Sequence, residues 1–459
     1  MYLGVGSSPT ICRMTAEGIR SFGSFNAGKG KALMPKNKEK KAYKDRFLLH
    51  MPFNLNLILC TVFLNIFGII MIYSASYYYA VSAYHYSPTH FFKNQLIWVL
   101  AGIVVMLLVS YLRPRLYSYF FVLSLLGAAF FLVAVRIPGL GHSSHGAYRW
   151  IKIGGMTLQV AEPIKILMII FLACALTRLD ITKRRSRVFI YGMTGLISVG
   201  LVILSNNAST GIIVLAIMYF MVMLNYPRQK WFLLTILLGF VLLITGLILI
   251  DRIPYVETEN FRITRIRAWL HPTDPEFSDE QAYQATQALY AIASGGFFGK
   301  GIGKSILKYT LPEPHNDYIL AIVFEELGVF GAAILTYLFV YLLYRILLVY
   351  RDCRNRFNRQ LVLGIFLHIA VQVLLNYAVT LGIFPTMGVT LPFISAGGSA
   401  AFLTLVEIGI VLAVHRQNEE ERLYREAQAD QEEEHPELKL LKRDPAQRRR
   451  VRRQRAGST

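Results

Sequence analysis

Charge is scarce in this sequence: Asp, Glu, Lys and Arg make up 17% of its 459 residues, while 54% are hydrophobic and mean hydropathy is +0.43. Soluble domains carry roughly a quarter charged residues, so a water-soluble fold is excluded. Cysteine is scarce too: Cys12, Cys60, Cys174 and Cys353 share no disulfide or zinc-ligand spacing. The alternation of polar and apolar residues that marks barrel strands is missing, which excludes a membrane β-barrel. The first fifty residues lack an apolar core followed by a small-residue cleavage site, so no signal peptide is expected.

What remains is long uncharged runs. WFLLTILLGFVLLITGLILI at 231–250 matches the ~20 residues that carry a helix across ~30 Å of hydrocarbon. Similar candidates fall at about 53–74, 96–112, 116–135, 164–176, 188–204, 211–224, 329–350, 361–378 and 399–414. The expected fold class is therefore an all-α polytopic membrane protein of about ten transmembrane helices, with a large extracytoplasmic loop, 251–317, between helices 7 and 8. Three regions follow: a basic N-terminal tail (1–50), a transmembrane domain (51–415) and a charged C-terminal tail (416–459).

The net charge of +20 is placed rather than spread. Arg113 and Arg115, the cluster from Arg178 to Arg187, Arg228 with Lys230, and the arginines from Arg351 to Arg359 all fall on one side of a ten-helix arrangement. The positive-inside rule makes that side cytoplasmic, together with both termini. RRRVRRQR near the C-terminus reads as a solvated tail beside anionic lipid, so membrane lipid and not nucleic acid is the expected partner.

The outward connections hold the residues that can do chemistry. In LPEPHNDYILAIVFEELG, at 311–328, two prolines keep the chain extended, so Asp317 falls near the first turn of the helix that returns to the membrane. The partial positive charge of a helix N-terminus favours an ionised carboxylate by ~0.3–1 kcal/mol and can equally hold a phosphate. Asp317 is thus a candidate general base, although an ordinary helix cap occupies the same position. Glu313 and His315 stand just before it as candidate substrate contacts.

FRITRIRAWLHP reads as an interfacial amphipathic helix with Arg262 and Arg265 on one face, suited either to a lipid-linked phosphate or to anionic headgroups. GAYRWIKIGG repeats the mixture with Arg149, Trp150 and Lys152, a further candidate substrate site or a plain interfacial anchor.

Several polar residues fall inside the apolar segments. Glu162 and Lys165, three apart on one helix face, are expected to pair and neutralise each other. Glu325 and Glu326 lie deep enough that they must face a cavity or a cation. VTLGIFPTMGVTLPFISAGGSA has no charge and several Gly and Pro; it is expected to re-enter the membrane, with Pro392, Ser395, Gly397 and Gly398 lining a cavity. GKGIGKS at 299–305 imitates a phosphate-binding loop, but position 298 is Phe where that loop needs Gly, and a glycine turn is the expected structure.

GAYRWI, the Glu162 to Lys165 pair, YQATQALYAIASGGFFGKGIG, LPEPHNDYILAIVFEELG and PTMGVTLPFISAGGS, in this order over roughly 55–415, resemble the SEDS (shape, elongation, division and sporulation) family. The closing GIGKSILKYTLPE looks more like its division and sporulation branches than its elongation branch. The resemblance implies a peptidoglycan glycosyltransferase of the bacterial cytoplasmic membrane, at the division septum if the division branch holds. Its substrate would be lipid II, the undecaprenyl-pyrophosphate-linked disaccharide peptide.

The family's essential acidic residue falls on Asp317, implied to deprotonate the acceptor sugar hydroxyl in an inverting reaction. Expected partners are a class B penicillin-binding transpeptidase and other divisome or elongasome proteins. No cofactor is implied and no metal-ligand spacing is visible, so any Mg²⁺ would ride on the pyrophosphate. This chain departs from the common pattern at Asn316 and Tyr318, where Thr and Phe are usual, and at Asn207-Ala208, where many relatives carry Pro-Asp. A lipid II flippase and a non-catalytic divisome scaffold are the competing functions; the concentration of polar groups on the outer side favours the enzyme.

Overall fold

A computed structural model describes residues 54–82, 87–144, 147–153, 156–226, 230–252, 261–272, 282–311 and 313–434. The N-terminal tail, Pro312 and the arginine-rich C-terminal run lie outside the described residues. The chain divides into two units, 52–419 and a second formed by 1–51 with 420–459. Of the second, residues 420–434 are described as the end of a helix, where Arg422 and Glu426 pair at 2.9 Å one turn apart.

Apolar runs of membrane length become helices because only a helix satisfies its own backbone polar groups in hydrocarbon. In chain order these are α1 (Leu55–Ser82), α2 (His90–Ser110), a 3-10 turn Pro114–Phe120 leading into α3 (Phe121–Ala134), α4 (Ala161–Arg178), α5 (Arg184–Leu204), α6 (Ala208–Asn225) and α7 (Lys230–Asp251). Shorter helices α8 (Phe261–Leu270), α9 (Tyr283–Gly295) and α10 (Leu307–Thr310) follow. Three long ones close the chain: α11 (Ile319–Asp352), α12 (Arg356–Thr380) and α13 (Gly398–Glu434).

Nine helices among the described residues are long and apolar enough to span a membrane. Helix α4, at 18 residues with Glu162, Lys165 and Arg178, is the tenth of similar length. It tolerates those charges because it is the enclosed centre of the bundle, with fourteen of its residues buried and none facing lipid from its middle. Gly364 of α12 lets α4 approach closely: a Cβ there would meet Ile169 at 2.5 Å. Helix α7 is the opposite case, with none of its membrane-length window buried.

The connection between α3 and α4 adds strands that the all-α expectation did not contain. β1 (Gly141–Ser144), β2 (Ala147–Ile153) and β3 (Met156–Gln159) form an antiparallel sheet in the order β1-β2-β3. These segments are too short and too polar for the membrane-length signal that located the helices. Pairing shifts between His142 and Ser143, so Arg149 is the extra residue of a bulge on β2.

Helix α11 is broken at Gly328, whose backbone (φ 68°, ψ −171°) is open to glycine alone. The segment after α9 repairs the break. Lys300 and Gly301 donate N–H bonds to the Glu325 and Glu326 carbonyls at 2.9 and 2.8 Å; Val329 and Phe330 donate to the Gly296 and Phe297 carbonyls, both at 3.0 Å. GKGIGKS is therefore a backbone splice and carries glycine where the two chains press together: a Cβ on Gly299 would lie 2.3 Å from the Glu326 carbonyl oxygen. The Glu325 carboxylate is held by Lys300 Nζ at 2.7 Å, Ser305 Oγ at 2.5 Å and the N–H groups of Ile306 and Leu307 at 3.0 and 3.1 Å. Glu326 accepts from Ser74 Oγ at 2.6 Å. Both acids of the deep pair thus anchor the splice.

Candidate active site

The connections after α3, α5, α7 and α12 meet at one end of the bundle around the turn Glu313–Tyr318. Helix α11 begins at Ile319, so Asp317 sits just ahead of its first turn, and Tyr318, not Asp317, holds the cap position, with no side-chain cap bond. The irregular segment 381–397 wraps this turn. Ser395 Oγ donates to the Asn316 carbonyl at 2.8 Å, and Ala396 N donates to the His315 carbonyl at 2.9 Å. Gly388 lies so near that a Cβ there would be 3.3 Å from Asp317 Oδ2. From α12, Asn376 Nδ2 donates to the backbone carbonyls of Asp317 (3.0 Å) and Val389 (2.7 Å). Asp317 is consequently half-buried, with its backbone tied down and its carboxylate left to face the site.

Two guanidinium groups reach the same place from different elements. Arg149, aimed by its bulge, donates from Nη2 to the Asn206 carbonyl at 3.1 Å, and its buried Nε has no partner among the described residues. Arg265 comes from α8, which is held against the end of α12 by Trp269 Nε1 donating to the Gly382 carbonyl at 2.8 Å. Burial draws both arginines below their ordinary value, and the Asp317 charge works against that. The carboxyl of Asp317 is pushed up from 3.8 to about 6, first by burial and then by Glu313, while Arg149 and Arg265 pull it down. The neighbouring Tyr318 hydroxyl, buried without a partner among the described residues, is raised by burial and by the Asp317 charge.

The remaining candidates separate. Glu313 stays near Asp317, its Oε2 accepting from Asn316 Nδ2 at 2.6 Å in a turn with positive φ (49°). His315 is only 2% exposed and packs against the rings of Phe91 (4.4 Å) and Tyr79 (5.5 Å), so it supports the turn from behind and offers no face to a substrate. Burial lowers its ring to about 4, which leaves it neutral. Lys152 is exposed and Trp150 half-buried, on the strand face opposite the buried Ile151, so they do not extend the Arg149 position inward. Arg262 lies in the first turn of α8, and its side chain lies outside the described residues.

Glu162 and Lys165 form a buried ion pair at 3.0 Å. In the wrapping segment, Gly397 N donates to Gln95 Oε1 at 3.2 Å, and Gly398, the first residue of α13, presses on Trp98, whose ring a Cβ would meet at 2.0 Å. Pro392 sits in the same buried stretch, between Leu391 and Phe393. Asn207, at the departure from the common pattern, caps α6 by accepting from Thr210 N at 3.1 Å. Among the described residues no three His, Cys, Asp or Glu side chains gather as a metal site. Residue-by-residue reading passed over Asn376 and Gln372, although polar residues four apart in an apolar helix are a legible signal.

A membrane bundle that gathers an acid and two arginines at one end defines a class: polytopic membrane proteins with a charged site built from the connections between their helices. The profile of the FtsW/RodA/SpoVE family, described as cell cycle proteins, matches residues 54–420, and the chain belongs to that family. It is 34% identical over 367 residues to the probable peptidoglycan glycosyltransferase FtsW of Trichlorobacter lovleyi, covering 79% of this chain and 93% of that one. Stage V sporulation protein E of Bacillus subtilis is 34% identical over 368 residues, covering 79% and 97%.

Among solved structures, a peptidoglycan synthase complex that coordinates polymerization and crosslinking superposes with TM-score 0.62 at 24% identity, covering 80% of this chain and 99% of that one. The rod shape determining protein RodA of Thermus thermophilus gives 0.55 at 23% identity, covering 80% and 98%. These two establish the fold.

Proposed function

We propose that the chain is a peptidoglycan glycosyltransferase that polymerises lipid II at the outer face of the cytoplasmic membrane, with both termini in the cytoplasm. The observation that carries this reading is the convergence of Asp317, Arg149 and Arg265, from two connections far apart in the chain, on one half-buried spot. Asp317 takes the proton of the acceptor 4-hydroxyl, whose oxygen attacks the anomeric carbon of the growing strand; lipid pyrophosphate leaves from the opposite face, so the configuration inverts. Arg149 and Arg265 steady the leaving diphosphate, and the unpartnered Nε of Arg149 provides a donor for one of its oxygens. A raised carboxyl suits this role, because a base near neutrality accepts a proton more readily than an ordinary aspartate. No cofactor is required; a divalent cation would arrive with the pyrophosphate. The similarity to a complex that joins polymerization to crosslinking supports a penicillin-binding transpeptidase as partner.

Purified protein with such a transpeptidase is expected to convert labelled lipid II into glycan ladders that resist moenomycin, and Asp317→Ala is expected to lower the rate by about 10²-fold or more. Normal polymerisation by Asp317→Ala would refute the base assignment. In sealed vesicles loaded with lipid II on one side, movement without polymer would instead mark a transporter.

A further inference from the structure

Polar side chains recur every four residues along the buried face of α12: His368, Gln372, Asn376 and Thr380, each 3% exposed or less. The lower part of this stripe is wired to charges in the membrane interior. Gln372 Oε1 accepts from Lys165 Nζ at 2.8 Å, and its Nε2 donates to the Thr390 carbonyl at 2.9 Å. Because a carbonyl only accepts and an ammonium only donates, the amide can sit one way round. His368 Nε2, 2.8 Å from that same Oε1, must therefore carry a hydrogen. Its other nitrogen, Nδ1, lies 2.8 Å from Glu407 Oε2 of α13, so a second hydrogen lies between ring and carboxylate. Ring and acid thus form a pair with no net charge, as Glu162 and Lys165 do, and the interior network is neutral.

The upper part of the stripe reaches the active site. Thr390, held by Gln372, is two residues from Gly388, which abuts the Asp317 carboxylate; Asn376, one turn above Gln372, holds Asp317 and Val389 by their backbone carbonyls. We infer that Gln372 and Asn376 are positioning residues that hold Asp317 and the 388–391 segment in register, and that the buried His368–Glu407 pair keeps the Gln372 rung in place. This rests on the reading of Asp317 as the base. Gln372 and Asn376 act through backbone carbonyls, not through the Asp317 carboxylate itself.

The test compares full-length variants in the lipid II polymerisation assay, with thermal unfolding measured alongside. Asn376→Ala is expected to lower kcat at least tenfold with KM within twofold, at an unfolding temperature that still leaves the protein folded under assay conditions. The joint variant His368→Leu with Glu407→Leu exchanges a neutral polar pair for an apolar one, so the fold is expected to survive. Its kcat is expected to fall at least fivefold because Gln372 loses a donor and its support. Asn376→Ala or the joint variant at the wild-type kcat, or a defect carried wholly in KM, would overturn the inference. If Asn376→Ala does not fold, the joint variant decides alone. Asp317→Asn is the control: if it keeps the wild-type rate, the base assignment falls; if it is inactive while both positioning variants are normal, the base stands and the positioning role falls.

Discussion

At the scale of single residues, the Asp317 carboxyl sets the pH behaviour. A base must be ionised, so kcat/KM is expected to be flat above about pH 6 and to fall roughly tenfold per unit below it. The neighbours move that limb in opposite directions. Glu313→Gln removes a negative neighbour and is expected to shift it to lower pH; Arg149→Ala removes a positive one and is expected to shift it higher, and pH–rate profiles of the two variants check both signs. Stability follows from the same shift. Folding raises this carboxyl from 3.8 to about 6, so its ionisation weakens the fold, by nothing below pH 3.8 and fully above about 6. Asp317→Asn is therefore expected to unfold at a higher temperature than the parent at pH 7 while losing activity. An acid kept at a thermodynamic disadvantage is intelligible at a catalytic position.

At the scale of elements, the break in α11 is the feature most sensitive to substitution. Gly328→Ala would force a side chain into a glycine-only region and place its Cβ 2.3 Å from the Phe297 carbonyl oxygen. It is expected to lower stability by at least about 3 kcal/mol, measurable as a loss of folded protein in a thermal scan. The splice ties α9 to α11, and α11 starts one residue after Tyr318, so the repaired helix also fixes where the Asp317 turn begins. The glycine spacing of GKGIGKS was legible in the sequence, and so was its failure as a phosphate loop. Its true partner, the open backbone of a helix beginning fourteen residues later, was not, because a break is defined by the two strands of chain that meet there. The Arg149 bulge has the same character: the residue is visible, its aim is set by pairing with β1.

At the scale of the whole molecule, burial in a membrane protein separates helices that composition makes look alike. Both α7 and α12 are apolar, yet Leu237 of α7 is 60% exposed and Leu361 of α12 is fully buried. Lipid tails solvate a leucine about as well as protein does, so only lost packing matters. Leu361→Ala is expected to destabilise by about 2–5 kcal/mol, and Leu237→Ala by less than about 0.5 kcal/mol, in unfolding experiments on the protein in bilayers or detergent. Polar groups obey the same division: Glu162 and Lys165 of α4 and His368 and Gln372 of α12 are paired in the interior, and those of the catalytic end gather where the connections meet.

Sequence alone determined the number of long helices, the placing of Asp317 close to the start of α11 and the pairing of Glu162 with Lys165, because hydrophobic length, proline stiffness and helical spacing are local properties. It also carried the family motifs, which run in the same order as the elements they occupy. Only the tertiary structure decided which charges share a site. It joined Arg149 and Arg265 to Asp317, removed His315 and Lys152 from that group, and brought Asn376 and Gln372 to it from α12. The physical reason is that electrostatic contact falls off over a few ångströms, and residues 168 positions apart, such as Arg149 and Asp317, come within that range only when the bundle closes.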